Sequence, residues 1–93
     1  MKDNTLRLAV SVCPKDHKTM EESQKAIGAR IRMLRKQKKL SQIKLAQAAQ
    51  VSEKYFYDIE HGRKSVSAQI LKRIIFVLDA DANFIMFGSE RKL

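Results

Sequence analysis

The sequence predicts an all-α domain, a compact set of five helices containing a helix-turn-helix, preceded by a short N-terminal strand-like arm. Three observations carry that prediction. Only three Gly and one Pro occur in 93 residues, too few tight turns for a many-stranded sheet. Apolar residues between Ile27 and Leu78 recur at helical rather than alternating spacing. One phrase, an apolar residue, a serine, three mixed residues and a second apolar residue, occurs as LSQIKL (40–45), VSEKYF (51–56) and VSAQIL (66–71). Each copy has the form of a helix start.

The length sets one domain with one modest core, and the 44 % hydrophobic content is enough to fill it. Lys and Arg number 19 against 10 Asp and Glu, a formal net charge of +9. That excess points to a polyanionic partner, nucleic acid first and an anionic membrane surface second. The charge is concentrated. Lys25, Arg30, Arg32, Arg35, Lys36, Lys38, Lys39 and Lys44 fall in a stretch that holds no acid before Glu53. A balanced charge run reads as a solvated helix face; this one has no balancing acids.

The arm spans residues 1–18. In it Leu6, Leu8, Val10 and Val12 alternate with Thr5, Arg7, Ala9 and Ser11, the period of a half-buried strand. A lone strand needs a partner. The arm therefore pairs with its copy in a second chain, lies along the helical body, or is disordered. Pro14 ends the pattern. Cys13 is the only cysteine, which fits a reducing compartment. The apolar run beside it is short and interrupted by Arg7, unlike a signal peptide. No stretch approaches the roughly 20 apolar residues of a membrane span. The expectation is a cytoplasmic chain with no membrane partner.

The domain proper spans residues 19–88, and 89–93 read as a frayed tail. Thr19 and Glu22 have capping-box spacing, and the first helix runs to about Lys38 with Ile27, Ile31 and Leu34 as its apolar stripe. In the repeated phrase, serine is a preferred N-cap. The apolar residues before it and four positions into the helix match a hydrophobic staple. Ser41, Ser52 and Ser67 thus start helices at about Gln42, Glu53 and Ala68. The second helix ends at Ala49, and its alanines allow close approach of a neighbour. The third runs over about 53–61 with Phe56 and Ile59 inward, and Gly62 suits a left-handed end. Tyr55 lies at its margin and Tyr57 outside. The fourth carries a wide stripe of Ile70, Leu71, Ile74, Ile75 and Leu78. Asp81 caps a fifth, residues 82–87, closed by Gly88.

Two short helices joined by so brief a turn form a helix-turn-helix, whose second member can enter the DNA major groove. With Phe56 and Ile59 inward, Glu53, Lys54, Tyr57 and Asp58 face outward near Ser52. Lys54 can donate to guanine O6 or N7, and Glu53 or Asp58 can accept from cytosine N4.

Residues 23–88 resemble the phage-repressor or Cro-like (Xre-type) helix-turn-helix family. The resemblance is carried by LSQIKLA, VS, IEHGRK and FG at that family's spacings. It implies the lambda-repressor-like fold and operator binding, usually by a dimer. By position it implies base reading by Ser52, Glu53, Lys54, Tyr57 and Asp58. It implies phosphate contacts from Ser41 and Gln42 and a second clamp from Arg63 and Lys64; Lys38 and Lys39 of the basic run join them. Arg35 and Glu60 match a structural ion pair between the first and third helices. Ile85, Met86 and Phe87 are dimer candidates, as are Leu6, Leu8 and Val10 of the arm. Gln50 stands where the family favours glycine, and the arm lies outside the resemblance.

The expected function is a sequence-specific double-stranded DNA-binding transcriptional regulator acting as a homodimer on a two-fold-symmetric operator. The rival is an antitoxin or adaptor using the fold to bind protein, because fold does not fix function. A weaker rival is membrane-surface binding through the basic first helix. No carboxylate pair, nucleophile set or phosphate-cradling glycine loop is visible. Cys13 and His17 lack further ligands for a metal. No enzyme activity, metal or cofactor is expected.

Overall fold

Three serines start three helices by the same local chemistry. Ser41 Oγ accepts from Lys44 N at 3.0 Å, Ser52 Oγ from Tyr55 N at 3.0 Å, and Ser67 Oγ from Ile70 N at 3.2 Å. Each satisfies a backbone donor that the first turn leaves orphaned. The staples close as well: Leu45, Phe56 and Leu71 are buried, and Leu40, Val51 and Val66 pack against the core.

The computed structural model describes residues 20–88. They form α1 (Met20–Gln37), α2 (Gln42–Ala49), α3 (Glu53–Glu60), α4 (Ala68–Leu78) and α5 (Ala82–Phe87), with no strand among the described residues. The arm with its strand-like Leu6, Leu8 and Val10, the Thr19 cap, Cys13, His17 and the tail lie outside the described residues.

Left-handed residues end the helices where the next must turn away. Lys39 (φ 60°) follows α1, Gln50 (φ 61°) follows α2 and Asp79 (φ 53°) follows α4. Gln50 therefore does adopt the conformation that glycine takes most easily. Val51 N donates to Ala46 O at 3.0 Å across that turn. Satisfying the last carbonyls of α2 offsets part of the strain.

α1 packs against α3 and α5, and α2 packs against α3 and α4. The core is Ile31, Leu45, Ala46, Ala49, Phe56, Ile59, Leu71, Ile74, Leu78 and Ile85. Ala46 and Ala49 are fully buried, so α2 meets its neighbours at short range. Ile85 corrects an expectation. It is 0 % exposed, and its carbonyl accepts from Arg30 Nη1 at 2.9 Å. It closes the core and is not available to a second chain. Met86 and Phe87 beside it are exposed, and so is Phe76, at 85 %. Phe76 lies off the apolar stripe of α4 that periodicity identified.

Candidate nucleic-acid interface

The turn between α2 and α3 presents the first turn of α3 outward. Phe56 and Ile59 are buried beneath it, while Ser52, Glu53, Lys54 and Tyr57 are exposed. Ser52 uses its hydroxyl oxygen as the cap acceptor, and its O–H remains free to donate. The Tyr57 ring lies 4.0 Å from the His61 ring, centroid to centroid. Arg63 sits over Tyr57 at 5.5 Å, within cation–π range. Tyr55 turns the other way, its hydroxyl donating to Ser65 O at 3.1 Å.

Asp58 corrects a second expectation. It does not face outward; it is 2 % exposed. Lys54 Nζ donates to both carboxylate oxygens, at 2.9 and 3.2 Å, and Lys64 Nζ stands 4.0 Å away. The carboxylate cannot reach a base edge without first releasing these cations and leaving its burial site. The hydrogen bond from Lys54 holds its pKa below the usual carboxylate value against the opposing effect of burial, helped by the charges of Lys54, Lys64 and Arg63. A depressed carboxylate stabilises the fold above the unfolded-state pKa, near 4 for Asp, and loses that stabilisation as pH falls through its folded-state value. The Tm gap between the wild type and Asp58→Asn should thus stay constant from about pH 5 to 8 and narrow only below about pH 4.

Behind this surface, Arg35 donates through Nε to Glu60 Oε2 at 2.7 Å and through Nη2 to Oε1 at 3.2 Å. Gln42 Nε2 donates to the same Oε1 at 2.9 Å, and Arg35 Nη1 reaches Leu40 O at 2.7 Å. One buried carboxylate thereby ties α1, the α1–α2 turn and the start of α2 to α3. Gln42, read from sequence as a phosphate ligand, is oriented by Glu60. Its second amide hydrogen is still available.

The other cations divide. Lys38, Lys39, Arg63 and Lys64 are exposed, as is Ser41. Arg30 and Arg35 turn inward to hold Ile85 and Glu60. The basic run is therefore partly structural. An open groove brings together Arg32, Arg35, Ser41, Gln42, Ile43, Tyr57 and His61. Of these, Arg32, Ile43 and His61 were not singled out from sequence as site residues. The signal for Arg32 was its place three residues before Arg35, on neighbouring turns of α1. His61 Nδ1 lies 2.9 Å from Tyr57 O; a carbonyl only accepts, so Nδ1 carries the proton and Nε2 faces away from this bond. Among the described residues no three His, Cys, Asp or Glu side chains gather as metal ligands would. No described helix is long and apolar enough to cross a membrane.

Residues 26–83 match the family model described as a helix-turn-helix domain. The ImmF control region 10 kDa protein of Bacillus phage phi105 is 39 % identical over 61 residues, covering 66 % of this chain and 68 % of that protein. The HTH-type transcriptional regulator RamB of Mycobacterium tuberculosis is 34 % identical over 67 residues, 72 % of this chain. The matched part spans only 14 % of RamB's length. Among solved structures, the clp gene regulator ClgR from Corynebacterium glutamicum superposes with a TM-score of 0.67 at 32 % identity, covering 70 % of this chain and 69 % of that one.

Proposed function

We propose that this chain, which belongs to the helix-turn-helix domain family and within it to the phage-repressor and Cro-like kind, is a sequence-specific double-stranded DNA-binding transcriptional regulator. It acts in the cytoplasm as a homodimer, with α3 in the major groove. The observation that carries the reading is the exposed first turn of α3. It offers Ser52, Glu53, Lys54 and Tyr57 to base edges, and Lys38, Lys39, Arg63 and Lys64 stand exposed nearby in sequence to meet phosphates. The names of its relatives, a transcriptional regulator and a phage control-region protein, support regulation rather than catalysis.

Phosphate neutralisation supplies the sequence-independent part of affinity. Two α3 helices related by a two-fold axis would read half-sites about 34 Å apart. Exposed Met86, Phe87 and Phe76 are apolar side chains that a second copy would cover, with Leu6, Leu8 and Val10 of the arm as further candidates.

Selection from a random duplex pool should enrich a two-fold-symmetric motif. Lys54→Ala should relax preference at one base pair of each half-site. Lys38→Ala should weaken all sequences alike and reduce the slope of log K against log salt by about 0.9. Salt-sensitive binding that enriches no motif would refute sequence reading. The exposed Phe76 keeps a second reading in view, a protein-binding adaptor or antitoxin. Its sign would be a stable heteromeric complex that persists when DNA is digested.

A further inference from the structure

Asp58 is a buried carboxylate on α3, beside the exposed Lys54 and Tyr57 of the same helix. Its side chain is 2 % exposed, while those of its partners Lys54 and Lys64 are 77 % and 60 % exposed. Its backbone carbonyl accepts from Arg63 N at 2.8 Å. One residue thus meets two ammonium groups, Lys54 from the first turn of α3 and Lys64 from the loop after it, and also holds the backbone of that loop. An unrestrained lysine is a point charge on a flexible stem that settles on any nearby phosphate or base. A lysine held by both oxygens of one carboxylate has a fixed azimuth on its helix. At least one of its three N–H donors remains for an outside acceptor.

We propose that Asp58 is a positioning residue for sequence recognition, which aims Lys54 at one base edge and withholds it from the phosphate backbone. The inference rests on the reading of α3 as the base-reading helix. Asp58 contributes no base contact; it lowers phosphate attraction by one charge and raises discrimination in return. The acceptor suited to Lys54 is guanine O6 or N7.

The experiment is a double-mutant cycle of Asp58→Asn and Lys54→Ala on the full chain. Affinity is measured for the duplex selected by the wild type and for a random-sequence duplex, with folding followed by circular dichroism. Asp58→Asn should weaken the selected duplex roughly tenfold, the scale of a lost base contact, and should strengthen the random duplex. A purely structural loss would weaken both together. In the Lys54→Ala background, Asp58→Asn should leave base preference unchanged, whereas a base-reading Asp58 would still alter it. Both duplexes moving in the same direction, or a preference change that persists without Lys54, would overturn the proposal.

A readout without substitution covers a poorly folding variant. In the free wild-type protein the Lys54 ammonium protons should exchange more slowly with water than those of exposed Lys72, as read by nitrogen-detected or nitrogen-edited NMR. Equal exchange would overturn the proposal. A wild type that selects no motif would refute base reading itself, and slow Lys54 exchange in that protein would show the clamp without a sequence to read.

Discussion

Glu60→Ala should lower the unfolding free energy by about 3–5 kcal/mol, because it leaves a buried guanidinium without its carboxylate. Arg35 and Glu60 are 7 % and 5 % exposed, so water cannot replace the lost partner as it does at a surface pair. The contact is bidentate, at 2.7 and 3.2 Å, the geometry in which arginine recognises a carboxylate best. Gln42 donates to the same group, so the variant loses that bond too. The damage would reach three helices, since Glu60 lies on α3, Arg35 on α1 and Gln42 on α2. Urea unfolding followed by circular dichroism measures the change. A loss below about 1 kcal/mol would mean the pair behaves like an exposed ion pair, and its role as a hub would be wrong. Glu60→Gln keeps an acceptor for Gln42 and discards the charge, so it should fall between the wild type and Glu60→Ala.

That hub also bears on recognition. The start of α2 is tied through Gln42 to the last residue of α3, and Arg35 ties α1 to the same carboxylate. Glu60→Ala should therefore weaken specific DNA binding beyond what the unfolded fraction explains, without any contact between Glu60 and DNA being lost.

The parts of the fold set by local chemistry were legible in the sequence. Ser41, Ser52 and Ser67 bond backbone donors three residues ahead, and the staple residues are five apart across each helix start. Both are short-range patterns that one chain segment specifies alone. Apolar periodicity likewise identified Phe56 and Ile59 as the inward face of α3. The misreadings share a cause. Asp58 was placed outside because periodicity gives a direction around the helix and cannot show that Lys54 closes over the carboxylate. Ile85 was offered to a partner because a short helix with four successive apolar residues, Phe84 to Phe87, does not reveal which one meets α1. Within the basic run Arg30 and Arg35 find acceptors 55 and 25 residues away; the family resemblance implied the second pairing, and nothing in the sequence pointed to the first. Such pairings are tertiary, and no local spacing encodes them.

Gly28 gives the largest conflict between local rule and tertiary packing. On α1 alone, Gly28→Ala should stabilise by about 1 kcal/mol, the difference in helix propensity. In the folded chain it should instead destabilise by about 3 kcal/mol, the upper part of the usual overpacking range. A Cβ at this position would overlap Ile59 O and lie 2.8 Å from Glu60 O and 3.0 Å from Glu60 C. All three are backbone atoms at the end of α3, so no rotamer change can make room. α1 would have to move away from α3, stretching the Arg35–Glu60 contact that spans the same pair of helices. Ala29→Gly is the control, one position along on the exposed side of α1. It should cost about 1 kcal/mol by propensity alone. The two substitutions exchange the same methyl group in opposite directions, and both should destabilise. If Gly28→Ala raised the urea midpoint, α1 and α3 would be farther apart than this packing requires. The close placement of the end of α3 against the middle of α1, on which the recognition surface depends, would then have to be abandoned.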